Sequence, residues 1–315
     1  MMFQISARFI AGVCFSILLG ACATPQTQAL RHLHSAPLPL QAELAEVPFY
    51  PQEIHQCGPA SLAMLLNAGG DQVTPQQLTA QVYVPGRAGS LQVEMLSATR
   101  RNGLLAYPLA PQLADVLAEV AAGSPVLVLQ NLALSWYPLW HFAVVVGYDL
   151  EREELILRSG LERRQVLPFT TFEYTWARAE HWAMLALPPG TLPHTATEAG
   201  YVASAVALEQ AGHMQGALAA YESGLQRWPL NLTARIGSGN AAYAQGDMRR
   251  AEIAYRQATQ DHPDSASAFN NLAQVLADQK QFAAALVYAK RAVDLGGPQQ
   301  AVARDTLRQI ELNMH

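Results

Sequence analysis

The last third of the chain repeats itself every 34 residues, and this period limits its fold more than any other feature does. Residues of one type recur at that spacing: Gly212 and Gly246, Tyr221 and Tyr255, Pro229 and Pro263, and Ala217, Ala251 and Ala285. A fixed period of this length indicates stacked units, each burying its apolar face against its neighbours. We place the units at residues 198–231, 232–265 and 266–299, followed by a capping helix from Ala301 to Leu312.

The residue types within these units resemble the tetratricopeptide repeat. Small residues stand where the paired helices of such a unit touch, and a Pro ends the second helix. The third unit departs from the pattern, because Ala289 replaces the Tyr and Gly297 replaces the Pro. The resemblance implies an all-α solenoid that recruits a protein partner or substrate through a peptide in its concave groove. The same repeats could instead serve only as a spacer.

The first 22 residues predict a cleaved export signal. Arg8 supplies a short positive region, and Phe9 to Leu19 an apolar stretch too short to span a bilayer. It ends in Leu19-Gly20-Ala21-Cys22, which resembles the lipobox of bacterial lipoproteins and implies that Cys22 becomes the lipidated first residue. Ala23 after the lipid site implies a cell-envelope protein, anchored in the outer membrane and facing the periplasm. The alternative is an ordinary secretory signal cleaved near Ala21 or Ala23.

Residues 23–44 and 45–188 differ in pattern. Residues 23–44 are rich in Ala, Pro, Gln, Thr and Leu without a clear period, which predicts a flexible tether. Residues 45–188 predict helices first and an antiparallel sheet afterwards, an α+β arrangement. Helices are predicted from Cys57 to the Gly69-Gly70 stop and over Pro75–Tyr83, Leu91–Asn102 and Leu113–Ala122, the second with Thr74 as its N-cap. Strands are predicted over Leu104–Leu109, Pro125–Leu132, Phe142–Tyr148, Glu154–Ser159, Arg163–Leu167 and Trp182–Leu187, and residues 189–197 are predicted to be a linker.

Charge and motif content exclude several functional classes. The net charge is −5 and there is no Lys/Arg block, which argues against a nucleic-acid partner. None of the nine histidines shows the paired spacing of a zinc site, such as His-Glu-x-x-His, and no phosphate-binding loop is present. We therefore expect neither a metal nor a cofactor.

Cys57 is the strongest candidate nucleophile. It precedes Gly58-Pro59 and an apolar run, which places its thiol at a helix N-terminus, where the positive helix dipole favours thiolate. Gln52 lies one short turn upstream, where its side-chain amide could donate to a developing oxyanion. The alternative is a buried structural cysteine, a common fate of free Cys.

The pattern of Gln52, five residues and Cys57-Gly58-Pro59-Ala60 resembles the papain-like cysteine peptidases that process bacteriocin leaders after a double glycine. Cys14 would leave with the signal and Cys22 would carry lipid, so Cys57 would be the one free thiol of an exported chain. An unpaired thiol in an oxidising compartment favours a functional cysteine. The resemblance implies a papain-like fold and peptide-bond hydrolysis.

A thiol nucleophile needs a histidine brought to it by the fold. His141 and His181 both stand at the start of a predicted strand, and His55 lies two residues before the cysteine. His181 opens the last strand of the domain, so no later strand remains to orient it. His141 is followed by two more strands, and the stretch His141 to Asp149 resembles the histidine motif of the leader peptidases. We therefore choose His141 as the base.

The third catalytic position departs from the family. The family usually carries an Asp on the strand after the histidine, where this chain has Ser159 or Gly160. Asp149 is eight residues along the histidine's own strand, roughly 26 Å away at about 3.3 Å per residue. Glu154 could reach His141 only in a particular hairpin register. We place Ser159 at the orienting position, and a Cys–His pair can work without an acid there.

Two classes of function follow. The first is a lipid-anchored cysteine peptidase that uses Cys57, His141 and Gln52, with the repeats recruiting a substrate or partner. The second is a periplasmic adapter of weak or no activity that binds peptides or proteins. Amide transfer or deamidation with the same residues stays open, because acyl-enzyme chemistry does not fix the acceptor.

Overall fold

The computed structural model describes residues 24–32, 38–52, 56–87 and 89–314. The predicted export signal and the predicted lipid site at Cys22 lie outside the described residues, as does His55. The chain divides into two compact units. The first is formed by residues 1–68, 73–92 and 108–184, and the second by residues 69–72, 93–107 and 185–315. Within the described ranges no helix is long and apolar enough to cross a bilayer.

Residues 24–187 combine short helices with an antiparallel sheet. The helices are α1 (Pro25–His32), α2 (Cys57–Ala68), α3 (Pro75–Val82), α4 (Gln92–Arg101), α5 (Leu113–Ala121) and α6 (Phe169–Ala177). The strands are β1 (Gln41–Glu43), β2 (Tyr83–Val84), β3 (Gly89–Ser90), β4 (Leu105–Pro108), β5 (Val126–Asn131), β6 (Trp140–Asp149), β7 (Glu154–Ser159), β8 (Glu162–Pro168) and β9 (Ala183–Leu187). The strand order is β4-β9-β5-β6-β7-β8, with β1 paired to the end of β6 and a separate β2–β3 hairpin.

This topology confirms the predicted α+β arrangement, and each predicted helix and strand is observed with ends shifted by at most two residues. Helix α6 was not predicted. Its sequence, Phe-Thr-Thr-Phe-Glu-Tyr-Thr-Trp-Ala, is dominated by aromatic and β-branched residues that favour strands. Tertiary burial of Phe169, Phe172 and Trp176 overrides that preference.

Helix α2 is the central helix of the first unit. Nine successive residues, Gly58 to Leu66, are buried, as expected for a helix that is apolar on all sides. Helix α3 begins with a capping box, in which the Thr74 side chain accepts from the Gln77 N–H and the Gln77 side chain accepts from the Thr74 N–H. This confirms Thr74 as the N-cap.

The flexible tether predicted for residues 23–44 is wrong for residues 25–32 and 41–43. Residues 25–32 form α1, and residues 41–43 form β1, which pairs with β6. The buried carboxylate of Glu173 on α6 accepts three hydrogen bonds at the start of α1, from the Gln26 N–H and from the Thr27 N–H and hydroxyl, at 2.6–2.9 Å. A carboxylate is stabilised by the positive end of a helix. The two partners are 146 residues apart in sequence, and composition gives no signal of such a contact.

The second unit carries the helices of the repeats. They are α7 (Glu198–Gln210), α8 (Met214–Arg227), α9 (Leu232–Ala244), α10 (Met248–Asp261), α11 (Ala266–Asp278), α12 (Phe282–Leu295) and α13 (Gln300–Leu312). Ala217, Ala251 and Ala285, the small residues of the 34-residue period, are fully buried in the second helix of each pair. The predicted helical solenoid is therefore confirmed.

The recurring tyrosines of the repeats pack against glycines of α9. A Cβ added at Gly237 would lie 2.3 Å from the ring of Tyr221, and one added at Gly239 would lie 2.4 Å from the ring of Tyr255. Real Cβ atoms do not approach other atoms this closely. Each tyrosine ring therefore fills space that only a glycine leaves open.

Candidate active site

Cys57 is the first residue of α2, as predicted, and its side chain is partly exposed. Burial raises the pKa of its thiol, and backbone hydrogen bonds from Phe142, Gly58 and Cys57 itself oppose that rise without cancelling it. The expectation of a thiolate favoured by the helix N-terminus is therefore wrong for this state. Loss of water around the sulfur outweighs the backbone donors.

His141 lies at the start of β6, one residue before the Phe142 backbone that faces the thiol. Its Nε2 lies 2.9 Å from the Ser159 hydroxyl at the end of β7. Burial lowers the pKa of the imidazole, and no carboxylate among the described residues raises it. The resting pair is therefore a neutral thiol and a neutral imidazole.

The strand register explains why Ser159, and not an acid, meets the histidine. Strand β7 pairs antiparallel with β6, with Val144 opposite Arg158 and Asp149 opposite Glu154. Both acids therefore lie at the far end of the pair from His141, which excludes the Glu154 alternative. His181 sits in the turn before β9, where its ring contacts Trp176 edge-on at 4.8 Å.

Gln52 is buried beside this pair, with its side-chain hydrogen bonds already used. Its Nε2 donates to the Ser61 hydroxyl at 2.9 Å and, at a long 3.4 Å, to the Phe142 carbonyl. Its Oε1 accepts from the Gly160 N–H at 3.1 Å, and its own N–H donates to the Gly160 carbonyl at 2.9 Å. Gln52 thus joins α2, β6 and the turn at Gly160 that follows Ser159.

Ser61 and Gly160 complete the network, and sequence reasoning missed both roles. Ser61 is fully buried, and its hydroxyl donates to the Phe142 carbonyl at 3.0 Å. It stands four residues after Cys57 on α2, so it lies on the same helix face, and that spacing is the signal that could have identified it. Gly160 offered no comparable signal, because its part is played by backbone atoms.

Gln52, Cys57, His141 and Ser159 all lie within the segment covered by a family match. Residues 44–184 match the Peptidase_C39 like family, and residues 202–257 and 237–301 match the tetratricopeptide repeat. The chain joins a C39-like domain to tetratricopeptide repeats. No curated protein gives a significant match.

Solved structures resemble each part of the chain. A protein from Bacillus anthracis assigned as a C39-like peptidase shares 20% identity at a TM-score of 0.41, covering 47% of this chain and 97% of its own. The repeat protein YrrB, which has an unusual peptide-binding site, shares 25% identity at a TM-score of 0.34, covering 38% of this chain and 60% of its own. The chaperone SycD of Yersinia enterocolitica, in complex with a peptide of the translocator YopD, shares 15% identity at a TM-score of 0.36, covering 39% of this chain and 99% of its own.

The C39-like domain shows no candidate metal centre in the described ranges. No group of three or more His, Cys, Asp or Glu side chains is placed there to hold an ion. The chemistry available at the described site is that of a thiol, an imidazole, a hydroxyl and backbone N–H groups.

The raised thiol pKa predicts a slow alkylation of Cys57. Because thiolate is the reacting species, the rate with iodoacetamide should rise with pH to a midpoint above the value of about 8.5 of a free thiol. At pH 6 the reaction should be slower than that of a model thiol, and mass spectrometry of the Cys57 peptide would measure it. Ser159→Asp is the matched variant, since a carboxylate beside His141 favours imidazolium and should shift the midpoint down. A wild-type midpoint below 8.5 would contradict the resting state described above.

Proposed function

We propose that the C39-like domain is a cysteine peptidase that hydrolyses peptide bonds through Cys57 and His141. The observation that carries this proposal is the 2.9 Å contact between His141 Nε2 and Ser159, which leaves the other ring nitrogen, Nδ1, for the thiol. The sulfur lies against the backbone of Phe142, the next residue along β6. The contact of His141 with Ser159 and the position of the thiol beside the next residue of β6 support these roles for nucleophile, base and orienting group.

The neutral resting pair supports general-base catalysis in the first step. His141 Nδ1 takes the thiol proton as the sulfur bonds to the substrate carbonyl carbon, and the same proton passes to the leaving amine as the C–N bond breaks. Water then attacks the thioester with His141 again as base, which releases the new carboxylate and restores the thiol. Each step requires the histidine tautomer that carries its hydrogen on Nε2, with the Ser159 oxygen as acceptor.

The oxyanion would be stabilised by donors at the start of α2. The backbone N–H groups of Cys57 and Gly58 already face the sulfur, so they lie close to the position of a developing oxyanion. Gln52 contributes a further donor only if it exchanges one of its present hydrogen bonds. The 3.4 Å bond to the Phe142 carbonyl is the weaker of the two and is the one we expect to be exchanged.

A second candidate function is an inactive adapter, and two observations favour it. The pKa of Cys57 is raised, and the orienting position holds Ser159 instead of an acid. In that case the C39-like domain would bind a peptide or protein without cleaving it.

The repeats would supply a partner site in either case. A cavity of about 720 Å³ lies among the first helices of the three units. Its lining includes the amide side chains of Asn240 and Asn271, and Glu209 is the one charged side chain among the described residues that line it. Amides can bond to the backbone of an extended peptide, and the lack of a cation there disfavours an acidic one. We therefore propose an uncharged or basic peptide segment as the ligand.

Lipid attachment at Cys22 would place this activity in the cell envelope, in the outer membrane and facing the periplasm. The support is the lipobox-like Leu19-Gly20-Ala21-Cys22 with Ala23 after it. Only two residue steps separate Cys22 from the buried Thr24 of the first unit. The anchor would thus hold the C39-like domain at the membrane surface.

The decisive experiment compares cells that carry the wild-type chain with cells that carry Cys57→Ala. Peptides from the envelope and the medium should include cleavage products that occur only with the wild-type chain. Proteins that copurify through the repeats should be the same for both, because Cys57 lies in the other unit. Identical peptide sets with unchanged copurifying proteins would favour the adapter.

A further inference from the structure

The hairpin between β5 and β6 exposes a continuous set of large apolar side chains. Trp136 and Tyr137 at its tip are 80% and 78% exposed, and the flanking apolar residues are about half exposed: Leu132, Leu134, Leu139 and Trp140. No Asp, Glu, Lys or Arg occurs between Glu119 and Asp149. A patch of this kind on a soluble domain marks an interaction surface.

The hairpin is rigid, so the exposure is built into the fold. The buried side chain of Asn131 accepts hydrogen bonds from the Ala133 and Leu139 N–H groups, at 3.1 and 2.9 Å. Leu134 and Tyr137 form a further bridge at the tip. Arg178, just after α6, donates to the Ala133 carbonyl at 2.6 Å. These bonds fix the hairpin backbone from which the aromatic side chains extend.

The start of α1 contacts α6, and the hairpin contacts Arg178, the residue that follows α6. Glu173 of α6 holds Gln26 and Thr27, and Arg178, five residues further along the chain, holds the hairpin. Five residues correspond to about 7.5 Å along a helix axis. The proposed lipid site precedes Thr24 by two residues, which span at most about 7 Å of extended chain. A bilayer reached by that lipid would therefore lie close to the hairpin.

We propose that the hairpin of residues 132–140 inserts its aromatic tip into the interfacial region of a phospholipid bilayer beside the lipid anchor. Trp and Tyr prefer this region because one end of each ring is apolar and the other can stay hydrated. A hairpin without charge needs no anionic lipid, so its binding is insensitive to salt. This inference rests on the proposed attachment at Cys22 for its location in the cell, while the insertion itself is a property of the folded hairpin. Insertion would hold the His141 end of β6 near the membrane surface, so substrates would be cleaved there.

The test uses the Cys22→Ser chain without its signal, which cannot carry lipid, and vesicles of phosphatidylcholine alone. Cosedimentation should show weak, reversible binding that persists at about 1 M salt, where the Debye length is about 3 Å. Trp136→Ser/Tyr137→Ser should weaken this binding about tenfold or more, because most of the inserted apolar area is lost. Circular dichroism verifies that the variant is folded, and bromine-labelled lipid should quench tryptophan fluorescence more strongly in the parent chain than in the hairpin variant.

The matched control is Leu230→Ser/Ile253→Ser, which removes two similarly exposed apolar residues from the repeats and should leave vesicle binding unchanged. Binding that is absent from the Cys22→Ser chain, or equal in all three proteins, overturns the proposal. So does a hairpin variant that binds vesicles normally but cleaves soluble peptides poorly, since the patch would then be a substrate surface. The mass of the mature wild-type chain reports lipidation separately, so failure of the anchor is distinguishable from failure of the hairpin.

Discussion

Replacement of His141 by alanine should lower kcat for peptide hydrolysis by about 10²–10⁴-fold, the usual contribution of a positioned acid–base group. The effect should be large because the thiol, with its raised pKa, is protonated at neutral pH and needs a base during attack. KM should change little, since the imidazole takes part in proton transfer and not in holding the substrate. Steady-state kinetics on a peptide identified from the envelope comparison would measure both constants.

Ser159 variants test whether the histidine acts as proposed. The imidazole can accept the thiol proton at Nδ1 only in the tautomer that carries its hydrogen on Nε2. Ser159 permits either tautomer, because its hydroxyl can donate or accept. Ser159→Asp can only accept when ionised, so it should maintain or raise kcat. It should also move the acid limb of the pH profile upward, because a carboxylate raises the pKa of His141. In the wild-type chain that limb should lie below pH 6.5, since burial lowers the pKa of His141.

Equal kcat for wild-type and His141→Ala chains would refute the assignment of His141 as the base.

Gly237→Ala should destabilise the repeats by about 1–2 kcal/mol net, although Ala is the better helix former by about 1 kcal/mol. The added methyl group would lie 2.3 Å from the Tyr221 ring, and overpacking of this kind typically costs about 1–3 kcal/mol, occasionally more. The ring cannot retreat easily, because Tyr221 is buried and its hydroxyl donates to Glu209. Thermal unfolding followed by circular dichroism of the full chain would measure the loss.

Thr233→Ala is the matched control for this prediction. Thr233 lies on the same helix, α9, and is exposed, so the substitution changes helix propensity without touching a tyrosine ring. Its melting temperature should stay level or rise slightly. If Gly237→Ala is as stable as Thr233→Ala, the close packing of Tyr221 on the helix backbone is not essential.

Helices and strands that follow a repeating residue pattern were predictable from the sequence. Contacts that depend on strand register or on long-range packing were not. The 34-residue spacing of Gly, Ala, Tyr and Pro was enough to predict the helix pairs of the repeats. The family resemblance, which implies an orienting residue on the strand after the histidine, predicted Ser159 or Gly160 beside His141. The sequence alone could not exclude Glu154, because a hairpin register is set by turn geometry. Neither the use of Gln52 as a link to Gly160 nor the raised pKa of Cys57 could be predicted, since both depend on what is buried around them.

The contact between Glu173 and Thr27 determines where a fragment of the first unit can begin. It brings together the first and last helices of that unit, across 146 residues of chain. A fragment that begins at residue 45, where composition places the domain start, would leave the Glu173 carboxylate buried without the three donors of α1. An unpaired buried charge is costly, so such a fragment should fold poorly or aggregate. The N-terminal residues 24–32 therefore complete the folding unit, so a fragment meant to fold on its own should begin no later than Thr24.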